Sequence, residues 1–180
     1  MRKEWRQALI YKLIGSGLLL LVSGYVALAV RRFEYRRLRV LDGYISLICF
    51  IKGQIDCYAM PLTDILSRAD PLILANCLGL ETPRTATLTF PGWGMGGEMP
   101  LPAMVRESRL YLQPETERLL SGIAGELGSM YRAEQVSRCD YYIQALTEER
   151  RKLYETMPAR LRTCSTLCLC CAVGAAVLLW

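Results

Sequence analysis

Histidine is absent from this chain of 180 residues, and its absence narrows the chemistry available to the protein. Imidazole is the side chain that enzymes use most often as a general acid or base, so the usual catalytic base is missing. A zinc site would need four thiolates, since no imidazole can complete the ligand set. The sequence contains no recognisable set of catalytic residues. It therefore predicts no catalytic residue, no metal ligand and no cofactor.

A nucleotide-binding loop is missing as well. The run GWGMGG at residues 92–97 lacks the Lys-Ser/Thr pair of a phosphate loop, and no strand is predicted before it. The surrounding sequence is rich in glycine and proline, which favours a long loop over residues 79–102. We therefore do not expect the protein to hydrolyse ATP by itself.

Charge is absent from two stretches of 18 residues each, Leu13–Val30 and Thr163–Trp180. A helix needs about 20 apolar residues to cross the hydrocarbon core of a bilayer. Inside hydrocarbon the backbone must pair its own N–H and C=O groups, which a helix does. Small residues such as Gly17 and Gly24 are typical of membrane helices that pack closely. Both stretches are therefore predicted to be transmembrane helices.

A cleaved signal peptide is the alternative interpretation of the first stretch. The tail carries Arg2, Lys3 and Arg6, and the segment at residues 27–29 has the A-x-A pattern of a cleavage site. However, the apolar run is longer than the usual core of about 7–15 residues. Five arginines follow within residues 31–39, where they would hinder export. These features favour a membrane anchor.

The predicted organisation has four parts. A basic N-terminal tail covers residues 1–12, the first transmembrane helix 13–30, a helical domain 31–162 and the second transmembrane helix 163–180. Ten basic residues flank the membrane on the side of the helical domain, and four lie in the tail. Because basic residues accumulate on the cytoplasmic side, the helical domain is predicted to be cytoplasmic and both termini external.

The net charge of +5 does not indicate a nucleic-acid partner. The tail contributes +3, and residues 31–162 hold 18 basic and 16 acidic residues. The strongly basic segments lie beside the predicted membrane helices, where such residues meet anionic lipid. The lipid bilayer is therefore a predicted partner, and nucleic acid is not.

Four of the eight cysteines lie in the last predicted helix: Cys164, Cys168, Cys170 and Cys171. The C-x-x-C spacing of Cys168 and Cys171 offers an alternative function, a membrane-anchored thiol sensor or redox protein. A thiol is also a small apolar side chain that suits a membrane helix. The other four cysteines are scattered, as expected in a reduced cytoplasm.

Apolar residues recur every three or four positions along two long segments, and this spacing predicts amphipathic helices. The first stripe is Leu38, Leu41, Ile45, Ile48, Ile51, Ile55 and Tyr58. The second is Val136, Cys139, Ile143, Leu146, Leu153 and Met157, interrupted by Arg150. We expect these helices to pack antiparallel, because each joins a predicted membrane helix. The predicted fold is thus an all-α antiparallel helical bundle flanked by two transmembrane helices.

Proline, glycine and aspartate mark the shorter helices. Asp70-Pro71 predicts an N-cap and first helical position, and Gly79 predicts the end of that helix. Further helices are expected over residues 62–69 and 103–111, and from Pro114 to a stop at Gly128. Pro158 is expected to kink the chain before the second membrane helix.

Charged residues of the last soluble helix are candidate partner contacts because they lie off its apolar stripe. The candidates are Arg132, Glu134, Arg138 and Glu149. A solvated charged face with pairs such as Glu148–Lys152 is the alternative explanation for charges on this helix.

Several short motifs together resemble the stage III sporulation protein AB family. They are the start KLIGSGLLLL, the segment Gln54–Leu62, the pair Leu127-Gly128 with Gln135 seven positions beyond, and the terminal apolar helix. The chain departs from the family at Tyr131, where an aspartate is usual, and in its Gly/Pro-rich loop.

The resemblance implies a function in endospore formation. It implies a helical domain similar to the type II secretion F domain, and a non-enzymatic platform in the channel between mother cell and forespore. The implied location is the outer forespore membrane, with the domain on the mother-cell side. The implied partners are the ATPase stage III sporulation protein AA and other stage III membrane components, and a second copy of the chain is a further candidate.

Overall fold

The computed structural model describes residues 2–58, 62–80, 100–127 and 131–179. Six α-helices account for nearly all of these residues, and no strand occurs within the described ranges. The helices are α1 (Arg2–Tyr58), α2 (Leu62–Ser67), α3 (Pro71–Cys77), α4 (Pro100–Ser108), α5 (Pro114–Glu126) and α6 (Arg132–Leu179), with a 3₁₀ turn over Arg109–Tyr111. The prediction of an all-α protein is confirmed.

The chain forms two compact units, and helices α1 and α6 contribute to both. Unit 1 consists of Met1–Glu34 and Glu155–Trp180, and unit 2 consists of Tyr35–Tyr154. Within the described ranges, no helix offers a stretch that is both long enough and apolar enough to cross a membrane.

Unit 2 has a hydrophobic core to which all six helices contribute. Fully or nearly fully buried members include Ile48, Ile65, Cys77, Met104, Ile123 and Leu146, one from each helix. Four residues of the predicted α1 stripe, Leu41, Ile48, Ile51 and Ile55, belong to this core. Because helices α2 to α5 are short, burial of their apolar faces against α1 and α6 supplies most of their stability.

One polar contact is fully buried within this core. The Tyr44 and Ser108 hydroxyl oxygens are 2.7 Å apart, and the Ser108 hydroxyl also donates to the Val105 carbonyl oxygen at 3.3 Å. Since serine has only one hydroxyl proton, Tyr44 is the donor to Ser108. Burial raises the pKa of the Tyr44 hydroxyl far above its usual value, so it remains a neutral donor.

The helix boundaries agree with the predicted caps in two places. The Asp70 carboxylate accepts a hydrogen bond from the Leu72 N–H at 2.8 Å and caps α3. Gly79 follows α3 with a φ of +66°, a conformation that glycine adopts without the strain a Cβ would add. The helix predicted from Pro114 is α5, with Glu115 and Glu117 in its first turn.

Other boundaries differ from the prediction. Helix α4 begins at Pro100, whereas the loop was predicted to extend to Pro102. Proline is compatible with the first turn of a helix, because the N–H it lacks has no partner there. Residues 81–99 of the predicted loop, and Gly128, lie outside the described residues. Helix α6 continues through Pro158, so the last predicted soluble helix and the second uncharged run belong to one element.

Candidate partner-binding surface

Ion pairs between described residues of unit 2 connect helix α1 to helix α6. Asp42 pairs with Arg150, Lys52 with Asp140 at 2.6 Å, and Asp56 with Arg132. The residue numbers rise along α1 while they fall along α6, so the two helices run antiparallel in this unit, as predicted. The hydrogen bond from Lys52 to Asp140 raises the pKa of the Lys52 ammonium.

The pairing explains the charged interruption of the second stripe. Arg150 lies at the edge of the contact between α1 and α6, where its guanidinium meets the Asp42 carboxylate. Such a partly exposed pair contributes little stability, typically 0–1 kcal/mol, but it favours one register of the two helices.

The first candidate contact residue, Arg132, lies in this same contact. Its guanidinium donates to the backbone oxygen and to the side chain of Asp56. Arg132 thus connects the start of α6 to the end of α1, which is a role within the fold.

The candidates Glu134 and Arg138 lie on another side of α6. Both are exposed, and they are four residues apart, so they share one helix face. The Arg138 Nε lies 4.0 Å from a Glu126 oxygen, and the same oxygen accepts a hydrogen bond from the Tyr142 hydroxyl at 3.2 Å. This arrangement connects α5 to α6 and restricts the position of Arg138.

Glu149 lies farther along α6 and is the least exposed of the four candidates. Its carboxylate is 2.7 Å from the Lys152 Nζ, and only 18% of its side chain is exposed. It borders a small cleft that also includes Arg37, Tyr111 and Leu153. The structure therefore brings Glu134 and Arg138 together and separates both from Arg132 and Glu149.

The sequence interpretation missed Tyr141, which follows Arg138 by three residues. The residue is 57% exposed, and its ring packs edge-on against Tyr142, with ring centroids 5.3 Å apart. Glu134, Arg138 and Tyr141 have the spacing i, i+4, i+7 and form one surface, which we term the α6 patch. A signal was available, because tyrosine and arginine are enriched in the centres of protein interfaces.

The cysteines are all free thiols. Cys77 and Cys139 are buried, and burial raises the pKa of the Cys139 thiol to about 11 and that of Cys77 further. Cys49 and Cys57 are exposed. Among the described residues, no group of three or more cysteine, aspartate or glutamate side chains is placed to hold a metal ion.

Comparison with known proteins finds no matching family model, no matching curated protein and no matching solved structure. The candidate surface therefore depends on the contacts and exposure of its own residues.

Proposed function

We propose that this chain is a non-enzymatic platform subunit, held in a membrane by unit 1, whose unit 2 binds a cytoplasmic ATPase. On the sequence resemblance, the assembly is the stage III sporulation channel required for endospore formation. The ATPase is then stage III sporulation protein AA, and the neighbours are the other membrane components of that channel.

The composition of unit 1 is the observation that supports membrane attachment. It consists of two helix segments whose large apolar side chains face outward, among them Leu21 and Tyr25 on α1 and Leu167 and Val177 on α6. Exposed apolar surface of this extent is unfavourable in water and marks a membrane or protein contact. The 18-residue uncharged runs at 13–30 and 163–180 include these side chains, and lipid would cover them.

The construction of unit 2 supports the platform role. Its core is buried, its long helices are paired by charges, and the α6 patch presents an exposed aromatic ring beside two charges of opposite sign. A preorganised helical surface with a tyrosine and an arginine is suited to binding another protein, since such side chains contribute most at interfaces.

The thiol-based alternative has less support. Cys168 contributes its backbone carbonyl oxygen, which accepts a hydrogen bond from the Ser23 hydroxyl at 2.9 Å. Cys168 and Cys171 are free thiols, and their C-x-x-C spacing is the observation that supports this alternative.

Binding of the purified full-length chain, in detergent or nanodiscs, to the ATPase tests the proposal. Wild-type protein should bind, and the double variant Arg138→Gln, Tyr141→Ala should bind at least about tenfold more weakly, as expected for an interface centre. The matched control is Arg118→Gln, Tyr154→Ala, because both residues are exposed elsewhere on unit 2.

The outcomes separate the two parts of the proposal. No binding of the wild-type chain to the ATPase or to any sister component would contradict the platform role. Equal loss in both double variants would keep the platform role and reject the α6 patch as the contact. Circular dichroism of each variant confirms that the helical fold is intact.

A further inference from the structure

A line of exposed side chains on helix α1 begins in the first uncharged run and continues beyond it. Its members are Leu21, Tyr25, Leu28, Arg32 and Tyr35, and all of them are exposed. The spacing is i, i+4, i+7, i+11 and i+14, so these residues share one face of the unbroken helix α1. We term this face the outer stripe. It joins the side chains proposed to meet hydrocarbon to a tyrosine that follows them.

Tyr35 lies just past the end of the uncharged run. Its Cα is five residues beyond Val30, which is about 7.5 Å along the helix. The headgroup layer extends about 5–7 Å beyond the hydrocarbon on each side of a bilayer. Because the Cα–Cβ bonds of a helix tilt toward its N-terminus, the Tyr35 ring is directed back toward the uncharged run. The ring therefore reaches the level of the headgroup layer.

Tyr154 on helix α6 provides a comparison. It is 70% exposed, against 48% for Tyr35, but it lies nine residues before Thr163, which is about 13.5 Å along the helix. Helix α6 runs toward its uncharged run, so the same tilt directs the Tyr154 ring away from that run. Helix direction thus separates two exposed tyrosines, and only Tyr35 is within reach of a headgroup layer.

Tyrosine is chemically suited to this layer. Its ring is apolar and its hydroxyl is polar, and tyrosine is accordingly enriched where membrane helices leave the hydrocarbon. At the level of Tyr35, the ring can pack against the upper part of the acyl chains while the hydroxyl stays among polar groups. In water the same exposed ring would gain no such packing.

We propose that Tyr35 contacts the headgroup and glycerol layer of a phospholipid bilayer and fixes the depth of α1 in it. Tyr25, on the same outer stripe but five residues before the end of the run, lies in the hydrocarbon. The inference rests on the proposed membrane attachment, and it adds the face of α1 that meets lipid and the level at which the bilayer ends.

Another protein is the competing occupant of the outer stripe. A protein that covered this face would shield Tyr25 and Tyr35 alike. The continuity of the stripe with the uncharged run favours lipid, because one bilayer covers both levels without a second binding surface.

The test places a single tryptophan at three levels of the full-length chain. Tryptophans Trp5, Trp93 and Trp180 are replaced by phenylalanine, and Tyr25→Trp, Tyr35→Trp or Tyr154→Trp is introduced. Each variant is reconstituted into phosphatidylcholine vesicles whose acyl chains carry bromine, a fluorescence quencher, either near the headgroup or near the chain end. Tyr35→Trp should lose more fluorescence to the shallow bromines, and Tyr25→Trp more to the deep ones. Tyr154→Trp, the matched control, should keep its fluorescence with both.

The outcomes separate this inference from membrane attachment. If Tyr25→Trp is quenched and Tyr35→Trp is not, the headgroup contact is overturned while attachment stands. Equal shallow quenching of Tyr35→Trp and Tyr154→Trp would overturn the role of helix direction. If the chain floats with the vesicles but neither stripe variant is quenched, a protein covers the outer stripe and the inference is wrong. Failure of the chain to float with the vesicles would overturn membrane attachment as well.

A second variant keeps the test decisive if Tyr35→Trp disturbs the fold, which circular dichroism would reveal. Phe33 is 37% exposed and lies three residues beyond Val30, so it occupies the same layer. Phe33→Trp should therefore also lose more fluorescence to the shallow bromines. Its failure to do so in a folded, vesicle-bound chain would overturn the proposed level of the bilayer surface.

Discussion

At the scale of single residues, two glycines in α1 that look equivalent in the sequence have different environments. A Cβ added at Gly43 would lie 2.6 Å from the Cys77 backbone nitrogen and 2.8 Å from the Asn76 carbonyl carbon. Nothing lies within 4 Å of a Cβ at Gly53. Gly43 thus permits close packing of α1 against α3, whereas Gly53 only lowers the helix propensity of its segment.

Substitution by alanine should therefore have opposite effects at the two positions. Gly43→Ala should lower the free energy of unfolding by about 1–3 kcal/mol, because the backbone atoms of α3 must move. Gly53→Ala, the matched control, should raise it by about 0.5–1 kcal/mol through helix propensity. Chemical denaturation of the full-length chain in detergent, followed by circular dichroism, measures both. Equal effects at the two positions would contradict this packing.

The buried residues of α1 were partly predictable from spacing. The stripe included Leu41, Ile48 and Ile51, but it omitted Val40, Tyr44 and Leu47, which are also buried. A stripe one residue wide predicts a helix with one packed side. Helix α1 packs against α3 at Gly43 and against α4 at Tyr44, so its buried face is wider. The sequence carries a signal for this width, because Val40, Tyr44, Leu47 and Ile51 form a second stripe with the same spacing.

At the scale of secondary structure elements, the main feature is the register of α1 against α6, that is, which residues of the two helices lie opposite each other. The apolar stripes predicted two long antiparallel helices but not which residues are opposite each other. Pairs such as Lys52–Asp140 favour one register, but they are distant in sequence and chemically common. For this reason the sequence could predict neither the register nor the contact between Arg132 and Asp56.

A charge exchange tests this register. Lys52→Asp alone, or Asp140→Lys alone, should place like charges side by side and lower the free energy of unfolding by up to about 1 kcal/mol, since the pair is partly exposed. The double variant should recover most of the loss. The coupling is measured by a double-mutant cycle from denaturation curves. The same substitutions at Arg118 and Glu115, an exposed pair within α5 at 3.9 Å, serve as the control for local effects.

At the scale of the whole molecule, the division into two units follows from composition. The uncharged runs and the amphipathic stripes are distinct patterns; the sequence places the first boundary after residue 30, and the two units divide after Glu34. The predicted boundary near residue 162 lies some way into unit 1, which begins at Glu155 on α6. The sequence offered the charged members of the α6 patch as candidates and left out Tyr141, although its residue type is common at interfaces.

The orientation of the proposed membrane protein can be measured with a single reactive thiol. Cys49 is exposed in unit 2, whereas Cys77 and Cys139 are buried with raised pKa values and remain neutral near pH 7. Because the thiolate is the reactive form, replacing Cys57 and the four C-terminal cysteines by alanine leaves Cys49 as the reactive site.

A membrane-impermeant maleimide should then label Cys49 in inside-out vesicles and leave it unlabelled in intact cells, since unit 2 is proposed to be cytoplasmic. A second variant, in which Cys49 is also replaced and Trp5→Cys is introduced in the tail, should give the reverse pattern. Labelling of Cys49 in intact cells would mean that the ten basic residues do not determine the orientation, and unit 2 could not then meet a cytoplasmic ATPase. Recovery of the chain in the soluble fraction would instead contradict the proposed membrane anchor.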